Sequence, residues 1–208
     1  MNIKNILLNY KYIIFDCDGV ILDSNKIKTK AFETLFSEYP KSLVTKIIRY
    51  HKKNGGISRY IKIKYFFENL VRKQINKNEL NMLANKYSII TMNELKKAKL
   101  VPGVIDILKY LKINKKIMFV VSGSDQKDLN YILKYKKIGN YFNKIKGSPI
   151  DKINNIKNVI PSSSNQKNSV YIGDSNYDYR CCEKLGLDFI FISGYSDWKV
   201  KKSFLYKH

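Results

Sequence analysis

The chain has 208 residues, of which 44% are hydrophobic and 27% charged, and its formal net charge is +22 at pH 7. This length can bury a full core and suits one α/β domain that carries an inserted segment. The positive charge invites a nucleic-acid function, but all except four of the 39 basic residues are lysines, and bidentate recognition of phosphates and bases favours arginine. The composition therefore argues against a nucleic-acid site, although the charge should attract phosphorylated anions.

The amino-terminal residues and the cysteines bear on where the protein works. Residues 1–9 lack a long apolar region and a small-residue cleavage site, so we predict no signal peptide, and no uninterrupted apolar run elsewhere predicts a membrane segment. The three cysteines, Cys17, Cys181 and Cys182, are too few for a disulfide framework and favour a reducing compartment. The sequence therefore predicts a cytoplasmic protein.

The first predicted strand ends at an acidic pair. Its β-branched and aromatic residues, 12–15, indicate a buried parallel strand whose carboxyl end presents Asp16 and Asp18. Carboxylates two positions apart point to the same side of an extended chain and repel each other. A divalent cation or another positive partner is therefore needed to keep both ionised. Gly19 would let the backbone turn away immediately after them.

Residues 25–97 show helical periodicity and no strand pattern, which predicts an all-helical insert after the first strand. Inside it, Gly55 and Gly56 interrupt the helices shortly before Arg59. If this loop faces the rest of the protein, Arg59 could pair with an acidic or hydroxylated substrate group. The alternative is a solvated arginine. His51, just before the loop, is predicted to lie on the surface.

Two further strand ends carry polar residues in the second half of the chain. Residues 116–121 predict a strand that leads into Ser122 and Gly123, and a hydroxyl, a glycine and a helix start together are typical of a phosphate-binding turn. Residues 169–172 predict a strand that ends at Asp174, with Asp178 on the same face of the following helix turn. Between them, Lys152 follows a Gly/Pro-containing turn at a helix start. Residues 188–193 predict a last strand, and the tail from Tyr195 to His208 is assigned only to packing at a sheet edge.

Taken in chain order, these motifs resemble those of the haloacid dehalogenase-like hydrolases. The first motif is matched by Asp16-Cys17-Asp18-Gly19 with Asp23-Ser24, the second by Ser122-Gly123, the third by Lys152, and the fourth by Gly173-Asp174-Ser175 with Asp178. The resemblance implies a doubly wound parallel α/β sheet with a helical cap inserted after the first strand, as in the phosphoglycolate-phosphatase and β-phosphoglucomutase branch. The catalytic core would comprise residues 1–24 and 98–208, and the cap residues 25–97.

The resemblance also implies a role for each motif residue. Asp16 would be the nucleophile that forms an aspartyl-phosphate, and Asp18 the general acid and base. Ser122, the amide of Gly123 and Lys152 would hold the phosphoryl oxygens. The Asp16 and Asp174 carboxylates and the Asp18 backbone carbonyl would bind Mg²⁺, with Asp178 acting on this site through water or through another ligand. Gly55, Gly56 and Arg59 of the cap would read the substrate.

The predicted function is Mg²⁺-dependent hydrolysis of a small phosphomonoester, a sugar phosphate or a phosphoglycolate-like compound. A closing helical cap suits such compact metabolites, which would be the partners of this protein. A phosphomutase of the β-phosphoglucomutase type would use the same motifs and stays open as an alternative. A basic protein that has kept the fold but binds nucleic acid is a second alternative, and it would not need the four acids.

Overall fold

The computed structural model describes residues 3–160, 166–200 and 204–207. In these ranges six strands form one sheet: β1 (Tyr12–Phe15), β2 (Ile117–Asp125), β3 (Lys144–Ser148), β4 (Ser169–Gly173), β5 (Asp188–Phe191) and β6 (Phe204–Tyr206). The order across the sheet is β3-β2-β1-β4-β5-β6, with β1 to β5 parallel and β6 antiparallel to β5. The predicted α/β fold is therefore confirmed, with an antiparallel strand added at one edge.

Helices cover both faces of the sheet and fill the segment between its first two strands. They are α1 (Ile3–Leu8), α2 (Asn25–Leu35), α3 (Lys41–Lys53), α4 (Arg59–Tyr65), α5 (Lys77–Lys97), α6 (Val104–Ile113), α7 (Gln126–Tyr135), α8 (Lys152–Val159) and α9 (Asn176–Leu185). A π-helical segment, Phe66–Val71, continues α4, and short 3₁₀ turns lie at Gly139–Tyr141 and Gln166–Asn168. No helix in the described ranges is both long and apolar enough to cross a bilayer.

The central strand β1 is buried on both faces, as its continuous apolar sequence predicts. Ile13 and Phe15 pack into the core on one side of the sheet, and Tyr12 and Ile14 into the core on the other. Phe15 lies beside Val120 of β2 and Ile172 of β4. Because these three strands are parallel and in register, the polar residues that follow them come together at one edge of the sheet.

The helices of residues 25–97 have a hydrophobic cluster of their own. It is rich in aromatic residues, including Phe32, Phe36 and Phe66, and the rings of Phe36 and Phe66 stack with centroids 3.8 Å apart. Leu95, near the end of α5, belongs instead to one of the two sheet cores. A separate core supports our proposal that residues 25–97 form a cap and that residues 1–24 and 98–208 form the catalytic core.

Three elements were not predicted from the sequence. Helix α1 is six residues long and buries only Leu7, so it shows no helical periodicity. Strand β3 contains Lys144 and Lys146 and has neither a continuous nor a cleanly alternating apolar pattern. Strand β6 lies in the tail, whose predicted edge packing it confirms for residues 204–206, while residues 201–203 and 208 lie outside the described ranges.

Candidate active site

The carboxyl ends of β1, β2 and β4 open into a cavity of about 640 Å³ between the sheet and the helical insert. The sheet side presents acids and small polar groups, and the insert side presents mostly basic groups. From the sheet side the lining includes Asp16, Asp18, Ser122, Gly123 and Asp174, and from the insert Lys28, His51, Gly56, Arg59 and Lys62. A cavity of this size, with acidic groups on one side and basic groups on the other, suits a small charged molecule.

Asp16 follows the last residue of β1 and is only 2% exposed. Its Oδ1 accepts a hydrogen bond from the backbone N–H of Cys17 at 2.8 Å, and its Oδ2 lies 3.4 Å from the Lys152 ammonium. Burial raises the pKa of Asp16 to about 7, against the lowering effect of Lys152 and with the help of Asp178 and Asp18. Lys152 alone thus does not compensate the negative charge at this position.

Asp18 lies among hydrogen-bond donors. The hydroxyl groups of Ser24 and Ser124 donate to its two oxygens at 2.5 and 2.7 Å, and the Lys28 ammonium lies 3.7 Å away. Burial alone would raise the pKa of Asp18, but Lys28 and the two hydroxyls outweigh it and lower the pKa below its ordinary value. Ser24 immediately precedes α2, but its side chain makes no capping bond and donates to Asp18 instead.

Asp178, in the first turn of α9, holds the side chain of Lys152, the first residue of α8. Its Oδ2 accepts bonds from the Ser175 amide at 3.1 Å and the Ser175 hydroxyl at 2.7 Å. The Asp178 amide in turn donates to the Ser175 hydroxyl oxygen at 3.2 Å, and the two amide bonds together form a capping box. Its Oδ1 accepts a bond from Lys152 Nζ at 2.5 Å. Burial disfavours the ammonium, but Asp16 and Asp178 raise the pKa of Lys152 above its ordinary value, so this lysine is cationic at neutral pH.

Three buried carboxylates form a cluster that fits a metal ion. Asp16, Asp174 and Asp178 each offer an oxygen within 4.8 Å of the others. Burial, reinforced by Asp16 and Asp178, raises the pKa of Asp174 well above its ordinary value. Among the described residues, only Lys152 forms ion pairs with this cluster. One ammonium among three buried acids leaves negative charge that a divalent cation would offset.

The insert touches the sheet edge through its glycine loop. A Cβ on Gly123 would lie 2.1 Å from the Gly56 carbonyl oxygen, so the two backbones approach too closely for any other residue at position 123. Gly56 has a φ of +78°, and a Cβ there would lie 2.8 Å from the Ser175 hydroxyl and 3.2 Å from Lys152 Nζ. A Cβ on Gly55 would lie 3.2 Å from Ser175 Cβ. Both glycines therefore lie over the acidic cluster.

Arg59 lines the same cavity, but its charge is engaged elsewhere. The side chain is 4% exposed, and its guanidinium lies 2.8 Å from Asp128 Oδ2 and donates to the Ser88 hydroxyl at 2.6 Å. It also covers the ring of Tyr87 at 4.7 Å. The interpretation of Arg59 as a solvated arginine is wrong, and its interpretation as a substrate-reading residue stays a prediction.

Several lining residues were missed from the sequence. His51 was predicted to lie on the surface, but it is buried in the cavity wall against Phe32, because it falls on the inward face of α3. Asn25, Lys28 and Phe32 recur at helical spacing on one face of α2, a signal that these polar residues point inward with Phe32. Lys62 is also buried in this wall.

The carboxy-terminal loop adds a third side to the site. Asn25 Nδ2 donates to Asp174 Oδ2 and to the Tyr195 carbonyl, both at 2.7 Å, and so ties α2 to this loop. The Ser196 hydroxyl donates to the backbone carbonyl of Asp174. Trp198 lines the cavity. None of these contacts has a sequence signal, because each joins segments more than 20 residues apart or depends on how the tail returns to the sheet.

Comparison with known proteins agrees with this geometry. Residues 13–192 match the family model described as haloacid dehalogenase-like hydrolase. A predicted phosphoglycolate phosphatase from Haemophilus somnus is 17% identical, with 90% of this chain and 87% of that chain covered and a TM-score of 0.70. A predicted phosphatase from Clostridium acetobutylicum is 20% identical, with coverages of 90% and 86% and a TM-score of 0.70. CbbY from Rhodobacter sphaeroides, in complex with phosphate, is 15% identical, with coverages of 90% and 88% and a TM-score of 0.67.

Proposed function

Because this chain belongs to the haloacid dehalogenase-like hydrolases, we propose that it hydrolyses a small phosphomonoester through an aspartyl-phosphate on Asp16. One observation carries the proposal. Asp16, Asp18, Ser122 and Asp174 line a single cavity, and the buried Lys152 ammonium lies 3.4 Å from Asp16 beside the acidic cluster. A nucleophile, an acid/base group and donors for a developing anion are thus in one place.

In the first step, a carboxylate oxygen of Asp16 attacks phosphorus and the bond from phosphorus to the ester oxygen breaks. The leaving oxygen takes its proton from Asp18. In the second step, the Asp18 carboxylate removes a proton from water, the resulting hydroxide attacks phosphorus, and the bond to Asp16 breaks. The donors around Asp18 favour its carboxylate form, which is the form that the second step needs. Asp18 must therefore bind its proton together with the substrate for the first step.

The remaining residues position the phosphoryl group and balance its charge. Lys152, held by Asp178, would place one ammonium beside Asp16 and the phosphoryl oxygens. Ser122 and the amide of Gly123 would donate to those oxygens at the end of β2. Asp16, Asp174 and the Asp18 carbonyl would hold Mg²⁺, and when bound this ion would offset the negative charge of the carboxylates and the phosphoryl group.

The surroundings of the site support a small substrate and an intracellular setting. A cavity of about 640 Å³ lies within the range of small-molecule sites. Gly55 and Gly56 lie over the acidic cluster, where a closed cap would exclude water from the aspartyl-phosphate. All three cysteines are unpaired and buried, which supports the proposal of a reducing, cytoplasmic location.

The proposal is tested with Asp16→Asn. We expect Mg²⁺-dependent release of phosphate from p-nitrophenyl phosphate to fall by at least about 10³-fold, because the nucleophile is lost. The matched control is Asp106→Asn, which changes an exposed carboxylate on α6. Undiminished, Mg²⁺-dependent release by Asp16→Asn would exclude the aspartyl-phosphate mechanism.

Product analysis separates hydrolysis from the mutase alternative. With glucose 1-phosphate as substrate, a hydrolase releases phosphate and glucose, whereas a phosphomutase returns an isomeric glucose phosphate. We expect free phosphate. If the isomeric glucose phosphate were the main product, the same residues would instead catalyse the mutase reaction.

A further inference from the structure

A buried pair of basic side chains lies in the insert wall of the cavity and has no part in the mechanism above. Lys62 of α4 is 3% exposed and His51 of α3 is 8% exposed, and Lys62 Nζ lies 2.9 Å from His51 Nδ1. Both residues line the cavity. The ring of Phe32, which also lines the cavity, lies against them, with its centroid 4.9 Å from that of His51 and 6.0 Å from Lys62 Nζ. The pair thus packs on an aromatic ring and borders the cavity.

Lys62 differs from Lys28 and Arg59, two other buried cations of this wall, because no acidic side chain among the described residues pairs with it. Lys28 pairs with Asp18, and Arg59 pairs with Asp128. Lys62 is hydrogen-bonded to an imidazole, and the ion pairs found within 4.0 Å in the described ranges do not include it. A buried ammonium without a counter-ion is unfavourable in a folded protein. One that lines a ligand cavity can obtain its counter-ion from the ligand.

The electrostatic surroundings agree with such a role. Burial, together with the nearby Lys28 and Lys152, lowers the pKa of Lys62 to about 7, although Asp18 and Asp197 oppose this change. Burial and the nearby lysines 62, 28 and 52 lower the pKa of His51 well below its ordinary value. An anion bound beside them would stabilise the ammonium form of Lys62 and be attracted by it.

We propose that Lys62 and His51 form a subsite for a second anionic group of the substrate, a carboxylate or a second phosphate. This inference rests on the proposed function, in which the transferred phosphoryl group binds on the sheet side of the cavity. The second anionic group would then bind on the insert side, where Lys62 supplies the charge and His51 orients the ammonium. A phosphomonoester of similar size without a second anionic group lacks this interaction and should be a poorer substrate.

The test uses two pairs of substrates that share a skeleton. 3-Phosphoglycerate and glycerol 3-phosphate differ by a carboxylate, and fructose 1,6-bisphosphate and fructose 6-phosphate differ by a phosphate. In at least one pair, we expect the wild-type protein to show a kcat/KM at least tenfold higher for the more anionic member. The pair that shows the preference identifies the anionic group. Equal kcat/KM values within both pairs would overturn the subsite.

Lys62→Met then assigns the preference to the residue, because it removes the charge and keeps most of the volume. We expect the preference ratio to fall at least tenfold, mainly through KM of the more anionic substrate. Lys64→Met is the matched control, since Lys64 lies on the same helix with its side chain 58% exposed, and it should leave the ratio unchanged. An equal loss on both members of the pair would overturn the assignment and indicate a structural role.

Two further measurements keep the result unambiguous. His51→Gln should lower the same ratio and replaces Lys62→Met as the test if that variant does not fold. p-Nitrophenyl phosphate separates the two proposals. If the wild-type protein releases phosphate from it but has no preference within either pair, only the subsite is wrong. If it releases phosphate from none of these esters, the proposed function is wrong and the subsite falls with it.

Discussion

Asp16 and Asp18 lie two residues apart, yet their surroundings move their pKa values in opposite directions. Burial near other carboxylates raises the pKa of Asp16, whereas Lys28 and two hydroxyl groups lower that of Asp18. Neighbouring acids with separated pKa values are typical of sites where one acid attacks and the other moves protons. The difference comes from what each side chain faces, because the backbone that carries both is the same strand end.

The burial of Lys62 should affect the stability of the protein independently of catalysis. Its pKa is lowered from about 10.5 in the unfolded chain to about 7 in the fold. Between these two pH values Lys62 is protonated in the unfolded chain but not in the folded protein. The buried charge therefore lowers the free energy of unfolding below about pH 7, and this loss is recovered as the pH rises from about 7 to about 10. At pH 6 to 7 we therefore expect Lys62→Met to have a higher unfolding free energy than the wild type, by on the order of 3 kcal/mol. Its unfolding temperature should be higher accordingly.

Thermal unfolding of both proteins across pH 6 to 10 checks this expectation. The difference should shrink towards pH 10, and Lys64→Met should show no such trend because its ammonium is exposed. A lower unfolding temperature for Lys62→Met at pH 6 would show that the lysine stabilises the fold through a partner.

At the scale of elements, the start of α4 joins the insert to the sheet. Arg59 reaches Asp128 of α7, and the Tyr60 hydroxyl donates to Asp125 at the end of β2 at 2.8 Å. The Ser58 hydroxyl caps the helix by accepting from the Tyr60 amide at 3.2 Å. The loop of Gly55 and Gly56 immediately precedes this contact. The glycines are therefore held over the acids by a buried ion pair of Arg59, which lies three and four residues further along the chain.

Arg59→Ala tests this role. Removing one partner of a buried ion pair leaves the other charge uncompensated and typically costs roughly 3 kcal/mol. We therefore expect lower stability and a similar fractional loss of kcat/KM on 3-phosphoglycerate and on p-nitrophenyl phosphate, because the glycine loop loses its support. Arg180→Ala, at an exposed position on α9, is the control and should change neither.

A double-mutant cycle with Asp128→Ala completes the experiment. If the two residues act through each other, the double variant should be little worse than either single variant. A loss confined to the preferred substrate would instead return Arg59 to the substrate-contacting role that the sequence suggested.

The elements also differ in how far they could be predicted. The strands that end at Asp16 and Asp174 are apolar runs that end abruptly at an acid, and such local signals are readable. Strand β3 is not, because this edge strand contains the exposed Lys144 and the half-buried Lys146 and so has no apolar run. His51 and Lys62 have no local signal either, since a polar residue on a helix shows its direction only when the helix it packs against is known. The strand-end acids that we propose to react therefore have a local sequence signal, and the buried pair that we propose to bind a second anionic group does not.

The net charge of +22 belongs to the molecule as a whole and affects how every anion approaches it. The acids Asp16, Asp18 and Asp174 lie inside the cavity, so the excess positive charge lies mainly on the insert wall and the outer surface. Such a field attracts any anion from a distance and does not by itself select one. The nucleic-acid alternative would use this surface and leave the cavity without a function.

Ionic strength separates the two uses of the charge. Attraction between exposed charges is screened within a Debye length, which is about 30 Å at 0.01 M salt and about 10 Å at 0.1 M. We expect kcat/KM for p-nitrophenyl phosphate to fall several-fold between 0.01 and 0.3 M NaCl, because fewer substrate anions are drawn to the cavity. The kcat at saturating substrate is the internal control and should stay nearly constant, since the buried groups around phosphorus are not screened.

A duplex oligonucleotide added at 0.15 M NaCl should not inhibit phosphate release. Strong inhibition whose affinity falls as a high power of the salt concentration would instead assign the charge to nucleic acid.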